Sequence, residues 1–198
     1  MRVLVACEFS GTVREAFRER GHDAWSCDLL PTEREGQHIV GDVLKVIGDG
    51  WDMAICHPPC TYLTVSGNKW MKPEYADRFP GRSEQRKDAV AFFMALANAP
   101  IPKIAIENPI GVMSSLWRKP DQVIQPWMFG HGETKATCLW LKNLPKLVPT
   151  HMKGDLFAEE EPMERVQRLH RLPPSAERWK ERSRTFAGIA KAMAEQWG

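Results

Sequence analysis

RVLVACEFSG, at residues 2–11, is the stretch of sequence that decides the fold. Its short, continuous apolar run at residues 2–6 is typical of a parallel strand that is covered on both faces. Residues 8–11 form a predicted turn, and apolar residues then recur at helical spacing from Thr12 to about Arg20. A strand, a tight turn and a helix in this order are the beginning of an α/β fold.

The same alternation of strand and helix continues along the chain. Further strands are predicted at Ala24–Cys27, Trp51–Cys56, Ile104–Ile106 and Thr137–Leu141. Further helices are predicted at Ser83–Ala97, with Ser83 as the N-terminal cap, and from about Thr185 to Trp197. Strands that alternate with helices predict an α/β fold with a mostly parallel central sheet.

Length and composition favour one globular domain over residues 1–198. The chain is 43% hydrophobic and 26% charged, which is the balance of an ordinary globular protein. No stretch reaches the ~18 apolar residues that a membrane span needs, so we expect a soluble, cytoplasmic protein without a membrane partner. The five cysteines are odd in number and scattered, unlike the disulfide framework of a secreted protein.

The C-terminal third differs in character from the rest. Five prolines interrupt residues 145–174, and residues 150–184 are expected to form an irregular excursion that acts as a lid or faces a nucleic acid. The net charge of +2 neither requires nor excludes a nucleic-acid partner. Locally, Arg168 and Arg171 belong to a basic run that is either a solvated face or a phosphate-contacting surface.

Polar residues collect where the predicted strands end, which in α/β sheets is the edge that binds ligands. The first strand leads into Phe9-Ser10-Gly11 and the second ends at Asp28. Asp28 follows the glycine turn at about the spacing at which nucleotide-binding folds carry the carboxylate that accepts ribose hydroxyls. Taken singly, such an acid is equally compatible with a solvated strand end.

Pro58-Pro59-Cys60 follows the strand that begins at Trp51. Each proline fixes its φ and lacks an N–H, so the loop is stiff and projects Cys60 away from the strand. A thiol held in this way suits a nucleophile, although a small residue filling a loop pocket would have the same pattern. Cys56, His57 and Cys60 are close enough in sequence to suggest a metal site, but no second pair of ligands occurs at the spacing typical of zinc sites.

Glu107-Asn108 directly follows the apolar strand Ile104–Ile106. Burial at the mouth of such a strand is expected to raise the pKa of the Glu107 carboxyl, as a proton donor to a substrate requires. The alternative is a hydrogen-bonded acid that only ends the strand.

The order of these elements resembles the DNA (cytosine-5) methyltransferase family: a phenylalanine-glycine turn, a strand-end acid, Pro-Cys and then Glu-Asn. The resemblance covers roughly residues 2–115. It extends to Gly41-Asp42-Val43, Leu63-Thr64-Val65-Ser66-Gly67 and Arg82-Ser83, which are similar to the family's Gly-Asp-Ile, Phe-Ser…Ser-Gly and Arg-Ser elements. Thr134-Lys135-Ala136-Thr137 loosely resembles the family's Gln-x-Arg-x-Arg element, and Gly188-Ile189-Ala190 resembles a remnant of its last motif.

The resemblance implies the Rossmann-like fold of S-adenosylmethionine-dependent methyltransferases and methyl transfer to carbon 5 of cytosine in DNA. It implies that Cys60 adds to carbon 6, that Glu107 acts at ring nitrogen 3, and that the base is flipped out of the duplex. It further implies that Pro59 orients the base and the Cys60 loop, and that Asn108 braces that loop. The cofactor-binding residues implied are Phe9, Ser10, Gly11, Asp28, Asp42 and Pro58; the substrate-binding residues are Ser66, Arg82, Lys135, Arg168 and Arg171.

Two departures from the family's pattern bear on function. Thr12 and Val13 follow Gly11 where glycines are common. Only residues 143–184 stand where the family carries a target-recognition domain, which is too short a stretch for one. We therefore expect a compact enzyme of the kind found in phages and prophages. It would have relaxed specificity, or would hold DNA with a partner or as a homodimer.

Three other functions are left open by the residues. His57-Pro58-Pro59-Cys60 superficially resembles the loop of amino-methyltransferases, but His57 and Cys60 lack the oxygen acceptor and the aromatic ring that this chemistry needs. A free cytosine nucleotide is a second candidate substrate, for which no recognition domain would be required. A catalytically inactive DNA-binding or partner-binding relic is the third alternative.

Overall fold

The computed structural model describes residues 1–151 and 166–198, in which seven strands form one sheet with helices on both faces. The strands are β1 (Arg2–Ala6), β2 (Asp23–Asp28), β3 (His38–Val40), β4 (Met53–Cys56), β5 (Lys103–Pro109), β6 (Gln122–Ile124) and β7 (Thr137–Lys142). The helices are α1 (Thr12–Arg18), α2 (Arg82–Ala97), α3 (Met113–Leu116), α4 (Arg168–Arg171), α5 (Arg178–Ser183) and α6 (Ala187–Trp197). The predicted α/β class is confirmed.

The strand order in the sheet is β3-β2-β1-β4-β5-β7-β6. β1 to β5 pair in parallel, whereas β7 runs antiparallel to both of its neighbours, β5 and β6. The order reverses between β1 and β4, and in Rossmann-like sheets this is where the carboxyl ends of the strands open a crevice for ligands. The mostly parallel, Rossmann-like sheet is therefore confirmed.

Alternate residues of β1 face two separate cores. Val3 and Val5 pack on the side of α1 and α6, and Leu4 and Ala6 pack on the side of α2. Because both faces are covered, every residue from Val3 to Ala6 is fully buried, which accounts for the continuous apolar run in the sequence. The central strands are thus fixed rigidly beneath the edge at which their loops emerge.

The C-terminal helix docks on the sheet as predicted. Ile189, Met193 and Trp197 of α6 are buried in the core that α1 also covers. Their spacing of four residues gives α6 a single apolar face, which is what a helix needs to pack against a sheet. The last helix therefore closes one face of the domain.

The start of α2 differs from the prediction. Ser83 is exposed and does not cap the helix; α2 begins at Arg82, directly after Gly81. Gly81 has a φ of +73°, a left-handed conformation that glycine adopts without the steric cost of a side chain. The chain therefore turns into α2 through backbone geometry and not through a side-chain cap.

The segment at residues 150–184, expected to be an irregular excursion, lies partly outside the described residues, which omit 152–165. Its described part contains the short helices α4 and α5. Within the ranges 1–151 and 166–198, no helix combines the length and the apolar character needed to cross a membrane.

Candidate active site

The turn after β1 is built around a buried acid, Glu8. Its carboxylate accepts hydrogen bonds from the backbone N–H groups of Val13 at 2.7 Å and Arg14 at 3.2 Å, which lie in the first turn of α1. These amides have no partner within the helix, so Glu8 stabilises its start. Gly11 has a φ of +69°, and a Cβ there would overlap the Arg14 guanidinium. A backbone held this closely explains why glycine is needed at this point of the turn.

Asp28, the last residue of β2, and Asp42, two residues beyond the end of β3, lie next to this turn. The backbone N–H of Gly41 donates to the carbonyl of Asp28 at 2.8 Å and so joins the two loops. Burial raises the pKa of the Asp28 carboxyl, which also accepts from the backbone N–H of Leu30. Burial raises the pKa of the Cys7 thiol as well, with both aspartates adding to the effect. The predicted cofactor residues thus share one edge of the sheet.

The Pro-Pro-Cys loop is fastened to the end of β5. β4 and β5 are parallel neighbours, so the loops that follow them emerge side by side. Asn108 is 2% exposed, and its Nδ2 donates to the carbonyl of Pro58 at 2.8 Å. Since neither proline can donate a backbone hydrogen bond, a carbonyl is the natural point of attachment. Pro59 is exposed and Cys60 is half-buried at the end of this loop.

His57 is a member of the site that the sequence did not assign to it. Its Nδ1 lies 3.0 Å from Oε2 of Glu107, and the two side chains are 7% and 14% exposed. Burial raises the pKa of Glu107, but the His57 hydrogen bond and the charge of Lys135 outweigh it, and the net shift is downward. The expectation of a raised Glu107 pKa is therefore wrong. Because Glu107 is ionised, Nδ1 of His57 is the donor in this pair.

The Cys60 thiol interacts with the same groups. Burial and the charge of Glu107 raise the pKa of Cys60, whereas Lys135 and Arg182 act in the opposite direction. Lys135 therefore influences both Cys60 and Glu107, and its Nζ donates to the carbonyl of Arg182 at 2.9 Å. Thiol, carboxylate, imidazole and ammonium groups are assembled at one site, and their catalytic roles stay predictions.

A segment that we call the strap, residues 178–185, crosses this edge of the sheet. Trp179 packs against Phe9 with a ring-centroid distance of 5.9 Å, and Arg184 forms an ion pair with Glu33 at 2.6 Å. Beneath the strap is a cavity of about 30 Å³. It is lined by Cys7, Glu8, Phe9, Ser10, His57, Ser183, Arg184 and Thr185. This volume holds about one water molecule, so a larger ligand must displace the strap.

The remaining predicted substrate-binding residues lie farther apart. Arg168 forms a 2.8 Å ion pair with the nearly buried Glu133, so it is already held by the protein. Ser66 and Arg171 are exposed. Among these three, Arg171 at the end of α4 is the one whose charge is most open to a partner.

Residues 62–82, between the Cys60 loop and α2, form an aromatic and basic cluster. Trp70 packs edge-on against Tyr75 and Phe79, with ring centroids 5.0 and 5.1 Å away. Lys69 lies over the Trp70 ring at 4.2 Å, and Arg82 also lies over a nearby aromatic ring. Cations stacked on aromatic rings stabilise this surface and leave it positively charged.

Comparison with known proteins gives a distant structural likeness. No protein-family model matches the chain, and no curated protein does. Thirty-eight chains of known structure match, among them a candidate DNA modification methyltransferase encoded within an Escherichia coli prophage. The TM-score is 0.47 and the identity 13%, over 82% of this chain and 56% of that chain. The chain thus spans little more than half of that protein's length, and a likeness of this degree does not extend to activity.

Proposed function

We propose that the protein transfers a methyl group from S-adenosylmethionine to carbon 5 of cytosine in DNA. The observation that carries the proposal is the attachment of the Cys60 loop beside Glu107: β4 and β5 are parallel neighbours, and Asn108, next to Glu107, donates to the carbonyl of Pro58 at 2.8 Å. Addition to a pyrimidine needs a nucleophile for carbon 6 and a proton for nitrogen 3, on opposite parts of one ring. Cys60, in the loop after β4, and Glu107, near the end of the neighbouring strand β5, would supply these two groups.

The reaction follows from the weak nucleophilicity of carbon 5. The Cys60 thiolate forms a bond to carbon 6 while nitrogen 3 takes a proton that Glu107, ionised in the free protein, has picked up on substrate binding, so carbon 5 gains enamine character. S-adenosylmethionine supplies an electrophilic methyl group when bound. After carbon 5 has taken the methyl group, loss of its proton to water expels the thiolate, and nitrogen 3 returns its proton to Glu107. Lys135 favours the thiolate because its positive charge lowers the pKa of Cys60.

The carboxyl edge of β1 to β4 fits a cofactor that combines a nucleoside with an amino acid. Asp28 and Asp42 are the acids that would accept hydrogen bonds from the ribose and the adenine. Phe9 also lines the cavity under the strap, as does His57, whose Nε2 has no hydrogen-bond partner in the described part of the chain. An unpaired buried nitrogen in a polar cavity is what the amino-acid end of such a ligand would satisfy.

DNA is the substrate that the surrounding charge favours. The aromatic and basic cluster at residues 62–82 continues directly from the Cys60 loop, and aromatic rings next to cations are suited to bases and phosphates. A cytosine must leave the base stack to reach Cys60. Because residues 143–184 are too few for a recognition domain at that place in the chain, we expect low sequence specificity or help from a second copy of the chain.

Mass spectrometry of DNA from cells that express the protein tests the proposal. We expect 5-methylcytosine with the wild type, none with Cys60→Ser, and normal levels with Cys138→Ala, a buried cysteine of β7. Purified protein should also form a covalent adduct on DNA that contains 5-fluorocytosine. Methylated adenine, or methyl transfer that survives in Cys60→Ser, would instead favour the amino-methyltransferase alternative. An adduct with the fluorinated nucleotide alone would favour a free nucleotide.

A further inference from the structure

A buried ring nitrogen of His57 has no partner in the described part of the chain. The side chain is 7% exposed, and its Nε2 makes no hydrogen bond. Buried polar atoms are almost always paired, so an unpaired one at a cavity points to a ligand. The cavity under the strap is the space beside this ring.

The titratable and charged groups near His57 leave its Nε2 as the ring nitrogen that can bind a ligand. They are Cys7 and Glu8 after β1, Cys60 after β4, Glu107 of β5, Lys135 before β7, and Arg182 and Arg184 of the strap. Glu8 already accepts from the first amides of α1, and Arg184 is paired with Glu33. Nδ1 of His57 is engaged by Glu107. Since Nδ1 is engaged, Nε2 is the ring nitrogen of His57 to which a ligand in the cavity can hydrogen-bond.

We propose that Nε2 of His57 binds the α-carboxylate of the methyl donor, so that His57 links donor binding to Glu107. This inference rests on the proposed use of S-adenosylmethionine. Nε2 must carry a proton to donate to a carboxylate, so the donor-bound form has a proton on each ring nitrogen of His57. The resulting imidazolium lies between two carboxylates, which stabilise its charge.

His57 is in this view a positioning residue. With the donor bound, the imidazolium fixes the Glu107 carboxylate through Nδ1 and holds a proton next to it. Glu107 needs a proton for nitrogen 3 of the base, yet its lowered pKa leaves it ionised in the free protein. Binding of the methyl donor would thereby place a proton beside Glu107 before the cytosine enters the site.

Calorimetry of donor binding tests this without any methyl transfer. At pH 8, where an imidazole is ordinarily neutral, titrations in two buffers of different ionisation enthalpy should reveal the uptake of about one proton per donor bound. The affinity should fall as the pH rises. S-adenosylmethionine that lacks its α-carboxylate should bind about tenfold more weakly and without proton uptake, as expected for one lost charge-assisted hydrogen bond.

Two variants distinguish the roles of the two ring nitrogens of His57. His57→Asn keeps an amide at the position of Nδ1 and has nothing at Nε2, so the donor should bind about tenfold more weakly with no proton uptake. His57→Gln has its amide at the position of Nε2, so much of the affinity should return, still without proton uptake. His22→Asn, on the surface beyond α1, is the matched control and should bind like the wild type.

The outcomes distinguish this inference from the proposed function. Equal binding of the carboxylate-free donor, or no proton uptake by the wild type, overturns the role of His57 even where the variants fail to fold. Proton-linked binding of the donor without an adduct on 5-fluorocytosine DNA supports the role of His57 and overturns the proposed methylation of cytosine. Absence of donor binding at millimolar concentration overturns both.

Discussion

Asn108 holds the Cys60 loop with one buried hydrogen bond, from its Nδ2 to the carbonyl of Pro58 at 2.8 Å. The bond joins the loop after β4 to the end of β5, the strand that also carries Glu107. Because Pro58-Pro59 is stiff and is attached through the Pro58 carbonyl, the Cys60 thiol keeps a fixed position relative to the Glu107 carboxylate. The geometry of the site therefore depends on an amide that touches neither reacting group.

Asn108→Ala tests this attachment. Removing the donor leaves the buried Pro58 carbonyl unpaired, and we expect a loss of about 1–3 kcal/mol in the free energy of unfolding. Cys60 should also react faster with iodoacetamide, as measured by peptide mass spectrometry. Asn68→Ala, which removes an exposed hydrogen bond to Arg86, is the control and should change neither quantity appreciably. Wild-type stability and reactivity in Asn108→Ala would show that the loop is held by other contacts.

The pH dependence of Cys60 alkylation follows from its charged neighbours. Burial and the ionised Glu107 raise the pKa of the thiol, so Glu107→Gln should lower that pKa and move the alkylation profile to lower pH. Lys135 opposes the shift, so Lys135→Met should move the profile to higher pH. Lys191→Met, an exposed residue of α6, serves as the control. If the alkylation profiles of Glu107→Gln and Lys135→Met moved in the same direction, the opposite effects of these two residues on the pKa of Cys60 would be contradicted.

Gly111→Ala tests the close contact between the loops that follow β4 and β5. A Cβ at Gly111 would overlap the backbone carbonyl of Leu63, which accepts from the N–H of Val112 at 2.8 Å. Backbone cannot move aside cheaply, so we expect a loss of about 1–3 kcal/mol in the free energy of unfolding. Gly41→Ala is the matched control because its Cβ would meet no atom within 4 Å. Equal stabilities of the two variants would argue against the contact.

The strap is held in part by a pH-dependent ion pair. The Arg184 guanidinium holds the pKa of Glu33 below its ordinary value, so the pair stabilises the fold above the unfolded-state pKa of Glu33. That contribution is lost as the pH falls through the lower, folded-state pKa. Glu33→Gln should therefore cost about 1 kcal/mol or less near neutral pH, and nothing once Glu33 is protonated. Urea denaturation as a function of pH measures this, with the exposed Glu84→Gln as a control.

Two arginines of α4 should respond differently in DNA binding. Arg171 is exposed, so Arg171→Gln should reduce the slope of log affinity against log salt concentration by about 0.9. Arg168 is paired with Glu133, so Arg168→Gln should change that slope less. Fluorescence anisotropy with a labelled duplex over a range of salt concentrations gives both slopes. Unchanged slopes in both variants would assign this basic run to a solvated face.

Sequence periodicity predicted the main strands and helices because their apolar residues face two cores. β1 was predicted at its observed bounds, and the burial of Ile189, Met193 and Trp197 in α6 is confirmed. β3 and β6 were not predicted, since strands of three residues are too short to show a period. The antiparallel direction of β7 depends on contacts with β5 that are distant in sequence, and no local pattern encodes them.

The sequence predicted the site residues whose type and position alone indicate a chemical role. It did not predict properties that depend on contacts between residues distant in sequence. Cys60 follows β4, and Glu107 and Asp28 lie near or at the ends of β5 and β2; all three were picked out because they come at strand ends. The lowered pKa of Glu107 arises from His57, fifty positions away in sequence and adjacent only in the fold. The sequence indicated only that Glu107 is buried, and burial alone predicts a raised pKa for a carboxyl group.

The pairing of β7 with β5 has a consequence for how the protein is made. Glu107 lies opposite Leu139, so a growing chain must extend through residues 110–136 before the outer side of β5 acquires its neighbour. Until then the strand that carries the acid is an open edge, able to join other unfinished chains. A polypeptide cut short before β7 would therefore leave β5 without its outer neighbour and be prone to aggregate.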